Sequence, residues 1–82
     1  IGGQRQKDYG PPNESFDRVA EYWSTYLGQE LDAADVVNLM ILLKVSRAQG
    51  ERGAEKNRKM HRDSYQDIAG YVGCMELMEL LD

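Results

Sequence analysis

An all-α fold, a bundle-like protomer of three helices, is predicted for this 82-residue chain from three observations. Phe16, Val19, Ala20, Trp23, Tyr26 and Leu27 follow the i, i+3, i+4, i+7 spacing of one helical face. A second segment, Asp35–Arg47, contains the run Val36–Leu43, whose only polar member is Asn38. A third segment, from Asp63 onward, carries two apolar stripes. At 3.6 residues per turn the side chains of Val36–Leu43 point in nearly every direction, so this helix must be surrounded. Its flanks, Asp32, Asp35, Lys44 and Arg47, and its length exclude a bilayer span, which needs about 20 apolar residues. A chain this small buries only about 60% of its unfolded surface alone. A homo-oligomer, a dimer or higher, is therefore the expected way to enclose the middle helix.

Residues 1–12 form an N-terminal arm, and 13–82 form one helical domain. In the arm, Gly10-Pro11-Pro12 imposes a turn followed by extended backbone. Asn13 is then placed as N-cap of a first helix over Glu14–Leu27, which Gly28 stops. Asp32, three residues before Asp35, has the spacing of a cap with acidic residues at the positive helix end. The second helix follows over Ala33–Ala48, with Lys44 and Arg47 complementing the dipole in its last turn and Gly50 ending it. Gln49–Met60 is charged and without periodic apolar residues, as expected of a long loop.

The third helix is expected to start at Asp63 or Ser64, either serving as N-cap, and to continue to the end. Its expected core stripe is Tyr65, Ile68, Ala69, Val72 and Met75, with Tyr71, Cys74, Met78 and Leu81 as a second stripe. Gly70 and Gly73 each cost about 1 kcal/mol against Ala in a helix interior, which suggests close backbone approach.

Fourteen acidic against ten basic side chains give a net charge of −4, which argues against nonspecific nucleic-acid binding. The charge is uneven: Arg52, Lys56, Arg58, Lys59 and Arg62 face only Glu51 and Glu55 within residues 51–62. The lone Cys74 excludes an intrachain disulfide, no targeting segment is visible, and cytoplasm is the expected compartment. On its apolar stripe, with no His near it in sequence, Cys74 does not suggest a nucleophile.

Three candidate sites follow. Asp63 and Asp67 lie one turn apart, as do Asp17 and Glu21 on the first helix. If the first and third helices are neighbours, these four carboxylates could converge on Mg²⁺, which takes oxygen ligands and often shares its shell with phosphates. Capping by Asp63 and a solvated flank for Asp17 and Glu21 are the structural alternatives. Lys44, Arg47, Lys59, His61 and Arg62 gather around the loop and the start of the third helix, a pattern suited to phosphate. Dipole complementation and solvation explain the same cations. Tyr9, beside Gly10-Pro11-Pro12, either anchors the arm or, like Tyr71, contacts a base.

Asp8-Tyr9-Gly10-x-Pro12-x-x-x-Phe16, Trp23-x-x-Tyr26-Leu27-Gly28, Asp35-Val36 with Leu42-Leu43-Lys44-x-x-Arg47, and His61-x-Asp63-Ser64-x-x-Asp67-x-x-Gly70-Tyr71 together resemble small all-α proteins of bacteriophages and prophages. The chain is more distantly similar to a phage domain associated with nucleotide modification, through the Asp-Tyr-Gly element and the late Asp-Ser-x-x-Asp segment. A weaker likeness is to MazG-type nucleotide pyrophosphohydrolases, helical oligomers that bind Mg²⁺ through Glu-x-x-Glu and Glu-x-x-Asp pairs. Here the pairs are spaced by four and are mostly Asp. The resemblance implies phage origin and a nucleotide link.

Two functions compete. The first is a helical oligomer binding a phosphorylated, nucleotide-like ligand through Lys44, Arg47, His61 and Arg62, with Tyr9 or Tyr71 on a base. In a catalytic version, Asp63 and Asp67 hold Mg²⁺ and position water. The second is a non-enzymatic interaction protein, which would expose large apolar patches on the second and third helices. A helix-turn-helix DNA-binding role fits the acidic balance and the long loop less well.

Overall fold

A computed structural model describes residues 12–55 and 58–82, with three helices and, among the described residues, no strand: α1 (Pro12–Leu27), α2 (Ala33–Arg52) and α3 (Arg62–Leu77). The middle helix is also central in space. It packs against both α1 and α3, whereas α1 and α3 meet chiefly where Phe16 and Tyr71 stand edge to face, ring centroids 6.4 Å apart at 72°. No described helix is long and apolar enough to cross a membrane.

α1 begins at Pro12, two residues before the expected start, and Asn13 lies inside the first turn instead of capping it. Proline suits the first helical position because it lacks the N–H that would be unsatisfied there and its φ is already helical. Ala20 is buried, and Phe16, Val19 and Trp23 are half-buried on the predicted face. Tyr26 and Leu27, assigned to that face by spacing, are instead exposed, Tyr26 at 89%. At about 100° per residue Tyr26 stands roughly 120° around from Ala20. Leu27 is in line with Ala20 but occupies the last turn, where the chain departs.

The corner into α2 is held by short-range bonds. Gly28 adopts φ +67°, which only glycine reaches without strain, and its N–H donates to the Ser24 carbonyl. The Ser24 hydroxyl grips both backbone groups of Leu31: it accepts from the N–H at 2.8 Å and donates to the C=O at 3.2 Å. Asp32 then caps α2 as expected. Its carboxylate accepts from the Asp35 N–H, and the Asp35 carboxylate accepts from the Asp32 N–H, both at 3.0 Å.

α2 runs one turn beyond its expected end. Gly50 lies within it, and Gly53, at φ +69°, makes the stop, its N–H donating to the Gln49 carbonyl. Glu51 and Arg52 are good helix formers, which offsets one interior glycine. The connection to α3 accordingly shortens from the expected 49–60 to 53–61.

α3 starts at Arg62 with His61 as its cap residue, so neither Asp63 nor Ser64 is the N-cap, and it ends at Leu77 instead of continuing to the terminus. Glu79 turns the chain at φ 57° while the Leu80 N–H reaches the Met75 carbonyl.

The inward stripe of α3 also differs from expectation. Ser64 and Cys74 are buried, with Asp67, Ile68, Tyr71, Met75 and Met78 half-buried beside them, while Tyr65, Ala69 and Val72 face outward. Polar Ser64 and Asp67 occupy inward positions because each has a partner there, His61 and Lys44 respectively. The packed side thus combines Ile68 and Met75 of the expected core stripe with Tyr71, Cys74 and Met78 of the second, and leaves Tyr65, Ala69, Val72 and Leu81 exposed. Gly73 shows no close approach: a Cβ there would meet nothing within 4 Å.

Candidate functional site

The cations predicted to hold phosphate and the carboxylates predicted to hold Mg²⁺ meet at one place. Lys44 Nζ on α2 lies 2.8 Å from Asp67 Oδ2 on α3, with the lysine side chain only 13% exposed and the aspartate 44%. α3 runs back along α2 from the 53–61 connection, and this ion pair sets the level of one helix against the other. Asp67 gives the largely covered Lys44 ammonium a counter-charge in place of the water it has lost. Any anion approaching Lys44 competes with Asp67 for it.

The remaining predicted site residues are dispersed. His61 is half-buried, and its Nδ1 lies 2.9 Å from the Oγ of buried Ser64, while it gives α3 no side-chain cap bond. Arg47 on α2 and Arg62 on α3 are exposed, as are Arg58 and Lys59 in the connection between those helices. Tyr71 is half-buried against Phe16 and is part of the α1–α3 contact. Tyr9 lies outside the described residues, together with the rest of 1–11 and the pair Lys56 and Asn57.

The expected convergence of four carboxylates does not occur. Asp17 and Glu21 are exposed on α1 and Asp63 is exposed on α3. Among the described residues no group of three or more His, Cys, Asp or Glu is placed to hold a metal ion. The physical reason is the packing order: α1 and α3 flank α2 and touch at Phe16 and Tyr71, so carboxylates on their outer faces are kept apart.

Another surface has a composition unlike ordinary solvated helix. Leu39, Leu42 and Leu43 are exposed on α2, Leu42 at 61%, and Val45 lies near them. Tyr22 and Tyr26 of α1 and Tyr65 and Val72 of α3 are exposed on other faces. The all-round apolar run of α2 already signalled the leucines. The inward roles of Ser64 and Ser24 carried no signal, since a serine that completes a local hydrogen bond looks like any other in sequence.

Residues 1–79 match the family described as Domain of unknown function (DUF6378). Two relatives are both called Gene 55 protein. That of Mycobacterium phage D29 is 46% identical over 76 residues, covering 93% of this chain and 46% of the relative. That of Mycobacterium phage L5 is 43% identical over 81 residues, covering 98% of this chain and 47% of the relative. The chain thus spans about half the length of the curated relatives it matches. No solved structure matches it.

Proposed function

We propose that this chain, which belongs to the DUF6378 family and has relatives in mycobacteriophages, acts as a non-enzymatic interaction module that offers apolar helix surface to another protein surface. The observation that carries this is the imbalance between inside and outside. Among the described residues the fully buried large side chains are only Val36 and Val37, whereas thirteen large apolar or aromatic side chains remain exposed. Scattered exposed leucines are ordinary, but Leu39, Leu42 and Leu43 lie within two turns of one helix face, and such patches mark interaction sites. The dispersal of Asp17, Glu21 and Asp63, and the commitment of Lys44 to Asp67, remove the strongest geometric support for metal-assisted chemistry. Host cytoplasm is the compartment this function implies, supported by the phage kinship.

Capture from a phage-infected host lysate tests the proposal. Wild-type chain is expected to retain a defined protein that Leu42→Glu does not. Equal capture by both would overturn it, as would a thermal shift with mono-, di-, tri- or cyclic nucleotides.

Such a shift would favour the nucleotide alternative. One observation supports that alternative: Arg58, Lys59 and Arg62 are exposed just before and at the start of α3, whose first-turn N–H groups receive no side-chain cap from His61, and Arg47 is exposed on α2. In that case phosphate is held by Arg47 and Arg62, Mg²⁺ is held by Asp63 with Asp67 drawn away from Lys44, and the shift depends on Mg²⁺ and disappears in Arg62→Ala.

A further inference from the structure

We propose that the surface received by the outward face of α2 is the same face of a second copy of this chain, packed antiparallel about a two-fold axis; this rests on the interaction-module function and names its partner. Asp35, Leu39, Leu43 and Arg47 are spaced by four, so they form one continuous ridge of the kind that interdigitates when two helices cross at about −50°. The ridge is self-complementary only when the second helix runs the opposite way. About a midpoint at Ile41, Leu39 meets Leu43 of the second copy, and Asp35 meets Arg47 of the second copy. A two-fold axis makes each contact twice. Leu39, Leu43 and Arg47 are exposed and Asp35 is half-buried, so the whole ridge is within reach. The cap bond to Asp32 uses Asp35 Oδ2, and a carboxylate accepts on both oxygens.

The charge of the α2–α3 hairpin has the same polarity. Residues 26–43 and 74–82, which lie towards one end of the α2–α3 hairpin, hold Glu30, Asp32, Asp35, Glu76, Glu79 and Asp82 and no cation. Towards the other end, the described residues of 44–67 hold six cations against four carboxylates, a net of +2. Antiparallel packing sets the acidic end of each copy beside the basic end of the other, whereas parallel packing sets like beside like. The exposed leucines lie where the acidic span gives way to the basic one, at the level through which the two-fold axis must pass.

Sedimentation of the full chain tests this, with helical circular dichroism recorded for every variant. Wild type is expected to sediment at twice the 9.3 kDa chain mass at micromolar concentration. Leu43→Asp is expected to sediment as a single, still helical chain. Arg47→Glu sets like charges opposite each other at both ridge ends, and so does Asp35→Lys; each is expected to weaken self-association at least tenfold. An equimolar mixture of these two variants restores opposite charges at both ends and is expected to recover the dimer. Asp35→Lys also loses a helix cap, and recovery in the mixture separates that loss from the contact itself. A monomeric wild type, or a mixture no more associated than its components, overturns the second copy. The interaction module fails separately, if lysate capture is unchanged by Leu42→Glu.

Discussion

The two sides of α2 have nearly the same apolar content and opposite fates. On the inner side, Val36, Val37 and Ala48 are buried between α1 and α3, and Lys44 is tolerated among them because Asp67 meets it. On the outer side, Leu39, Leu42 and Leu43 are exposed and are bordered by Asp35 and Arg47. Hydrophobicity thus says that a surface needs cover, while the pattern of charge around it says what kind of cover. Inside, the cation is answered by the neighbouring helix; outside, we infer, it is answered by another molecule.

The sharpest way to break this comparison is to place one charge on each side. Val37→Asp buries a carboxylate with no cation provided for it, and a loss of more than about 4 kcal/mol is expected, seen as loss of the cooperative thermal transition. Next come the bonds that orient the inner side. Ser24→Ala removes both contacts to Leu31 and should lower stability by about 1 kcal/mol, as a shift in denaturant midpoint with unchanged slope. Asp32→Ala removes the cap of α2, and a similar loss of about 1 kcal/mol is expected in the same measurement.

The ion pair should matter less than its position suggests. Asp67→Asn leaves the largely covered Lys44 without its counter-charge, but Asp67 is half in water, so a loss of about 0.5–1 kcal/mol is expected. Lys44→Met, which keeps the stem and discards the charge, should come close to neutral in urea melts. Smallest of all is Leu42→Asp. Measured where the chain is single, its stability should change by no more than about 0.5 kcal/mol, although a charge beside the Leu39–Leu43 ridge is expected to weaken self-association.

Helix number and type could be read from the spacing of apolar residues, and the cap at Asp32 from the position of Asp35. Three features could not. The end of α2 was obscured because Gly50 and Gly53 are both plausible stops, and only backbone conformation separates an interior glycine from one at φ +69°. The inward face of α3 was hidden because it includes Ser64 and Asp67, whose burial depends on partners three residues away and on another helix. The carboxylate site was overdrawn for a related reason: helical spacing shows which residues share a face, but not which neighbour that face meets. Asp63 and Asp67 are one turn apart, yet only Asp67 turns towards α2. Of the predicted site, the meeting of Lys44 and Asp67 is the part that geometry assembles, and it joins a cation to a carboxylate that had been assigned to separate ligands.

The Ser24 hydroxyl spans only seven residues to reach Leu31. Closing so short a segment takes little entropy, so the bend between the first two helices can form before any distant part of the chain has arrived. The elbow thus fixes how α1 and α2 meet without waiting on α3.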